Sequence, residues 1–123
     1  MNLKKLDEAV AIMKDGLKGS LLSASFWSTA DGQLFAGYNG SEVAAALGNK
    51  LTTDINAALK DGIKTSLGKY YMLDLLNGQK IVVVPMNDYQ MGIYVDKNCQ
   101  TGMLLNIVIP KVIDKFEEAL IED

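Results

Sequence analysis

The sequence predicts a three-layer α+β domain, α/β/α, with a five-stranded antiparallel sheet and the element order α-β-β-α-β-β-β-α. Three observations carry this. Apolar residues recur with helical period in three stretches, at both ends and in the middle of the chain. Five short runs of strand character lie between them. Two tight-turn signals, Asp31-Gly32 and Asn77-Gly78, join neighbouring runs as hairpins. With 123 residues the chain is ordinary for one domain, so a single domain spans 1–123.

The first helix carries Leu3, Leu6, Val10, Met13 and Leu17 on one stripe and Lys4, Lys5, Asp7, Glu8, Lys14 and Asp15 opposite. Gly16 and Gly19 mark its expected end. In the run 21–28, Leu22, Ala24 and Phe26 share one strand face while Ser23 and Ser25 share the other. Thr29-Ala30-Asp31-Gly32 turns the chain into a second strand, 33–38.

A helix is expected over 41–60, capped by Ser41 or Asn39, with Glu42 at its positive end. Val43, Leu47, Leu51, Ile55 and Leu59 line up at spacing four, and Ala44, Ala45, Ala46, Ala57 and Ala58 leave the rest smooth. Gly48 inside a helix costs about 1 kcal/mol against Ala, so something packs close to it. Asp61-Gly62 is the expected stop.

Three strands follow, over 69–76, 80–84 and 90–95. Asn77-Gly78 joins the first two as a two-residue hairpin signal. The run Ile81-Val82-Val83-Val84 lacks alternation, as in a central strand buried on both faces, and Pro85 stops it. The last segment, 100–121, reads as an amphipathic helix on Met103, Leu104, Ile107, Val108, Val112, Phe116 and Leu120. Pro110 is expected to kink it. A strand over 104–109 is the alternative, disfavoured because Asn106 interrupts the run and the helical period continues through Phe116.

Composition excludes several functions. The net charge is -3, all 12 basic residues are Lys, and no basic cluster exists to hold a nucleic-acid backbone. The tip Glu117, Glu118, Glu122, Asp123 reads as a solvated helix end. One cysteine, Cys99, rules out an intrachain disulfide, and its ordinary role is that of a small apolar residue. The start of the chain lacks a signal-peptide pattern, and no apolar run is long enough to span a bilayer. A soluble, cytoplasmic protein without membrane insertion is expected. Hydrophobic residues make up 49% of the chain, which fits either an Ala- and Gly-rich core or apolar surface buried against a second subunit.

Catalytic chemistry is scarce. The chain has no His, hence no His-based triad, general base or metal ligand, and a lone Cys builds no zinc site. Gly48-Asn49-Lys50-Leu51-Thr52 matches a phosphate loop only in fragments, and no dinucleotide fingerprint follows a strand. Asp31, Asp88 and Asp96 read as turn formers. Asp74 stands in a strand, either facing solvent or paired across an interface. Trp27, Tyr70, Tyr71, Tyr89 and Tyr94 fit core or interface equally well. No catalytic residue, cofactor or metal is expected, and the chain reads as a non-enzyme.

The Asp31-Gly32 hairpin between Leu21 and Tyr38, the Ala-rich helix after it, and the closing run from Asn98 to Leu105 into a helix ending Phe116-Glu117-Glu118-Ala119-Leu120 resemble the Roadblock family, the dynein light chain roadblock-type domain. The resemblance is one of order and spacing over the whole chain, and Pro110 departs from it. It implies a profilin-like fold. It also implies a homodimer in which the third strands pair antiparallel and the central helices lie side by side, and an adaptor that binds and regulates a small Ras-like GTPase. Carried onto this chain, the dimer interface is Val43, Leu47, Gly48, Leu51 and Ile55 on the helix with Tyr70, Tyr71, Met72, Leu73 and Asp74 on the strand. A bare edge bearing those apolar residues is an aggregation hazard that pairing removes. Two other functions compete: a small-molecule sensor of PAS or GAF type, with Trp27, Phe26 and Phe35 lining a pocket, and an enzyme built on carboxylates or Tyr.

Overall fold

The structure, a computed structural model, describes residues 1–121. Glu122 and Asp123 of the acidic tip lie outside the described residues. Helix α1 (Leu3–Leu17) is capped by Asn2, whose Oδ1 accepts from the Lys5 N–H at 3.2 Å. Gly16 does not end it. A Cβ there would stand 2.6 Å from Val108 Cγ2, so this glycine lets the C-terminal helix cross close. The helix stops at Lys18, which takes φ +50, and a 3-10 turn over Lys18–Ser20 leads into the sheet.

Strands β1 (Leu21–Ser28) and β2 (Leu34–Tyr38) form the first hairpin, with Gly32 at φ +70. Helix α2 (Glu42–Ile63) is capped by Ser41, whose Oγ accepts from the Ala44 N–H at 3.2 Å. It runs through Asp61-Gly62 as an exposed last turn and ends at Lys64 in the left-handed region, whose N–H bonds Leu59 O. Strand β3 (Tyr71–Asp74) is shorter than the 69–76 run, since the chain bends at Lys69 and turns after Leu75. Strands β4 (Lys80–Pro85) and β5 (Tyr89–Val95) complete the sheet. In the β3–β4 turn the Leu75 N–H bonds Gln79 O and the Gly78 N–H bonds Leu75 O, both at 2.9 Å. Of the two signal residues only Gly78 is left-handed, so this is a three-residue loop closed by a glycine bulge, not the two-residue loop.

The C-terminal helix comes in three pieces, α3 (Thr101–Met103), a π-helical turn (Leu104–Val108) and α4 (Ile109–Ile121). Pro110 explains the wide turn. Its ring excludes the carbonyl four residues back, that of Asn106, and opening the turn relieves the clash. The Ile109 N–H accordingly bonds Leu104 O, five residues back. The expected kink is thus absorbed as a π turn, and the alternative strand over 104–109 does not form.

The sheet order is β2-β1-β5-β4-β3, with every pair antiparallel. Helices α1 and α4 cover one face, burying Leu6, Met13, Phe26, Ile93 and Phe116, and α2 lies on the other. The unbroken valine run is buried on both faces: Val82 and Val84 belong to the α1/α4 side and Val83 to the α2 side. Trp27 sits under α2, and its Nε1–H donates to Gln90 Oε1 at 2.8 Å, both residues buried. Gln90→Leu leaves that N–H without a partner and is expected to cost about 1–2 kcal/mol in urea unfolding. Fluorescence of the single tryptophan reads the transition directly.

An ion cluster ties α1 to α4: Lys5–Glu118 at 3.4 Å, Lys115–Glu8 at 3.4 Å and Lys115–Glu118 at 3.3 Å. The hydrogen bond from Lys115, and then that from Lys5, hold the Glu118 carboxyl below its ordinary value of 4.5. A lowered carboxylate stabilises the fold above its unfolded-state pKa, and that stabilisation is lost as pH falls through the folded-state one. Wild-type chain is therefore expected to lose thermal stability more steeply below pH 4.5 than Glu118→Gln, a modest difference that salt narrows because the group is exposed.

Candidate functional site

The face of the sheet under α2 is only partly covered. Ala45, Gly48 and Thr52 form the buried inward side of the helix. Trp27 lies between two glycines: a Cβ at Gly48 would meet its ring at 2.7 Å and one at Gly92 at 2.9 Å. This lets α2 settle on the sheet along a diagonal. Asn49 Nδ2 donates to Thr29 O at 3.1 Å just after β1, and Asn56 Oδ1 accepts from the Leu67 N–H at 2.7 Å in the loop that leads into β3.

On one flank of the diagonal an apolar groove of about 320 Å³ stays open. Its wall is Val43, Leu47 and Leu51, and its floor is Ser23, Ser25, Ile81, Val83 and Tyr94. Val43 is 79% exposed and Leu47 52% exposed. The floor is open because Ser23, Ser25 and Gly92 are too small to fill the space that leucines or valines would occupy. The other flank of α2 carries Glu42, Thr53 and Lys60, while Lys50 and Asp54, paired at 3.0 Å, border the apolar stripe on its solvent side.

The groove leads toward β3, the edge strand on that side of the sheet. Tyr71 and α2 hold each other: Thr52 Oγ1 donates to Gly48 O at 2.8 Å and meets Tyr71 Oη at 2.8 Å. With the threonine proton directed to the carbonyl, the phenol is the donor in that contact. Burial pushes the Tyr71 phenol above its ordinary value, which keeps it protonated. The carboxylate of Asp74 pairs with Lys80 across β3–β4 at 3.6 Å.

The structure thus sorts the interface residues expected from sequence. Val43 and Leu47 are exposed, and Leu51 and Ile55 half-buried, on the groove flank of α2. Gly48 is turned inward, and the close approach it permits is to Trp27 of its own chain. On β3, Tyr71 faces α2, Leu73 shares its side by strand alternation, and Met72 packs from the opposite face against the α1/α4 core. Tyr70 and Asp74 are exposed. The groove floor was not singled out from sequence. Its signal was present in the alternation of Ser23 and Ser25 against Ala24 and Phe26, which marks a strand face too small to be filled from its own side.

The aromatic trio expected to line a sensor pocket is split. Phe26 packs on Phe116 at 5.4 Å and Phe35 on Phe26 at 6.4 Å, both on the α1/α4 side, and only Trp27 reaches the groove. Asp31 and Asp96 act as turn formers, accepting from the Gln33 and Asn98 N–H groups at 3.0 and 2.8 Å. Cys99 is buried, and burial, with Asp96 adding, pushes its thiol up, away from the reactive thiolate. Among the described residues no three His, Cys, Asp or Glu side chains converge as a metal site, and no helix is long and apolar enough to cross a membrane.

No protein-family model matches the sequence, and no curated protein matches it. Solved structures do. The Roadblock/LC7 domain from Streptomyces avermitilis superposes with a TM-score of 0.74 at 13% identity, over 92% of this chain and 98% of that one. Myxococcus xanthus MglB gives 0.78 at 12% identity, over 94% and 86%. Schizosaccharomyces pombe profilin gives 0.60 at 15% identity, over 89% and 96%. The chain has the Roadblock-type, profilin-like α+β fold that its element order led us to expect.

Proposed function

We propose that this chain is a homodimeric, non-catalytic cytoplasmic adaptor that binds and regulates a small Ras-like GTPase. The observation that carries the reading is the pair of unfinished surfaces on one side of the molecule: the one-sided apolar stripe Val43–Leu47–Leu51 beside an open groove, and the uncovered edge of β3. A second copy completes both at once. Antiparallel pairing of two identical edges places a two-fold axis perpendicular to the sheet, which keeps both α2 helices on the same face. Their stripes then meet over the two grooves, and an interface of this kind buries about 1,200–2,000 Å² or more. The structural likeness to a Roadblock/LC7 domain and to MglB supports the same reading.

The dimer presents a continuous ten-stranded platform with two helices on one side, and the GTPase is its partner. With no Arg anywhere in the sequence, this chain lacks the guanidinium of an arginine finger. Any effect on hydrolysis runs through the GTPase's own switch residues, which the platform repositions or holds. The test is titration of the purified dimer against Ras-like GTPases loaded with GDP or with a non-hydrolysable GTP analogue. Nucleotide-dependent binding is expected, and equal absence of binding in both states would count against the regulatory part of the proposal.

A further inference from the structure

The pairing just proposed leaves its register open, and the structure assigns it: we infer that the two-fold axis of the dimer passes midway between Met72 and its image, so that Met72 opposes Met72 of the second copy, Tyr71 opposes Leu73, and Tyr70 opposes Asp74. This rests on the homodimer reading above and specifies its geometry.

Three constraints select the register. The first is parity. Directly opposed residues in an antiparallel pair point to the same face, and a perpendicular two-fold preserves faces. The axis must therefore set one residue opposite its own image.

The second is hydrogen bonding. The Leu75 N–H bonds Gln79 O, so the polar groups of Leu75 point to β4. By alternation those of Leu73 and Tyr71 do the same, and those of Tyr70, Met72 and Asp74 point to the free edge. The extended chain available runs from Tyr70 to Leu75, between the bend at Lys69 and the turn that begins at Leu76. An axis on Met72 pairs Met72 with its image and Tyr70 with Asp74 twice, so every outward N–H and C=O finds a partner. An axis on Leu73 sets Tyr70 against the turn at Leu76, and one on Tyr71 sets Leu73 against the bend at Lys69, so neither completes the edge.

The third is charge. An axis on Asp74 puts two carboxylates face to face, and one on Leu73 puts them on the diagonal, both unfavourable. The Met72 axis moves them four positions apart and sets each beside the Tyr70 hydroxyl of the other copy. The Lys80 ammonium already at 3.6 Å from Asp74 neutralises the site. The pairing also places Tyr71 and Leu73 together on the α2 side, directly beneath the approach of the two helices.

Disulfide trapping tests this in a Cys99→Ser background, with single substitutions Tyr71→Cys, Met72→Cys and Leu73→Cys, each checked for native circular dichroism. On the Met72 axis the two position-72 Cα atoms lie within bonding range. Position 71 and position 73 each lie beyond it from their own images, so Met72→Cys is expected to give about tenfold more cross-linked dimer than either. Mixing Tyr71→Cys with Leu73→Cys chains is expected to restore cross-linking between unlike copies, which keeps the test informative should Met72→Cys fold poorly. Preferential self-linking at position 71 or 73 overturns the register while leaving the dimer intact. No trapping at any position, in a wild-type protein that sediments as a dimer, overturns the edge pairing itself. A wild-type protein that sediments as a single chain removes the dimer reading on which the register stands.

Discussion

Leu47→Asp is expected to yield a folded monomer. Leu47 is 52% exposed in the single chain, so the substitution removes little of its core. In the dimer the same position is buried against the second copy, and two-fold symmetry doubles the insult: two carboxylates enter one apolar contact, and the one ammonium within a helical turn, that of Lys50, is already paired with Asp54 at 3.0 Å. Centrally buried apolar anchors of this kind are worth about 2–4 kcal/mol each, so the dissociation constant should rise about 100-fold or more. The thermal midpoint of the monomer should move little by comparison. Lys60→Ala, on the opposite flank of the same helix, is the matched control and should leave association unchanged.

Gly48→Ala is expected to destabilise the chain by about 2–3 kcal/mol, although glycine to alanine within a helix normally stabilises by about 1 kcal/mol. The reversal comes from the ring beneath it. A Cβ at this position would lie 2.7 and 2.8 Å from Trp27 Cη2 and Cζ2. The indole has little room to retreat, because the sheet backs it at Gly92, where a Cβ would come within 2.9 Å of the ring, and Gln90 fixes its N–H. Relief requires lifting α2, which also strains the Thr52–Tyr71 contact that seats the edge strand. Urea unfolding followed by Trp27 fluorescence measures the loss, and a stabilised variant would show that the helix does not rest on the indole.

The architecture was legible because each element announces itself locally. The 3-4 spacing from Leu6 to Leu17, the alternation of Ser23 and Ser25 against Ala24 and Phe26, the capping serine at 41 and the unbroken valines at 82–84 mean in the fold what they mean in the sequence, whereas Leu3 is 59% exposed and a bulge puts Leu21 in the core in place of Leu22. What was illegible is tertiary. Gly48 signals close approach without saying to what, and both a neighbouring helix and an indole meet that description. Gly16, read as a terminator, turned out to be a crossing point for Val108 on a segment more than ninety residues away. Pro110 announced a disturbed helix, but whether it breaks, kinks or widens depends on how firmly Val108, Val112 and Phe116 are held in the core. The groove was half legible: its wall is the apolar line on α2, whereas its floor is defined by side chains that are small, and small residues carry no direction.

The pairing of two sheet edges beneath two apolar helix flanks underlies every functional statement above, and the solution mass as a function of concentration measures it most directly. Sedimentation equilibrium from low micromolar upward is predicted to give twice the chain mass for the wild type and the single-chain mass for Leu47→Asp. A wild type that remains a single chain at the highest concentration, or a Leu47→Asp variant that stays paired as tightly as the wild type, contradicts the account.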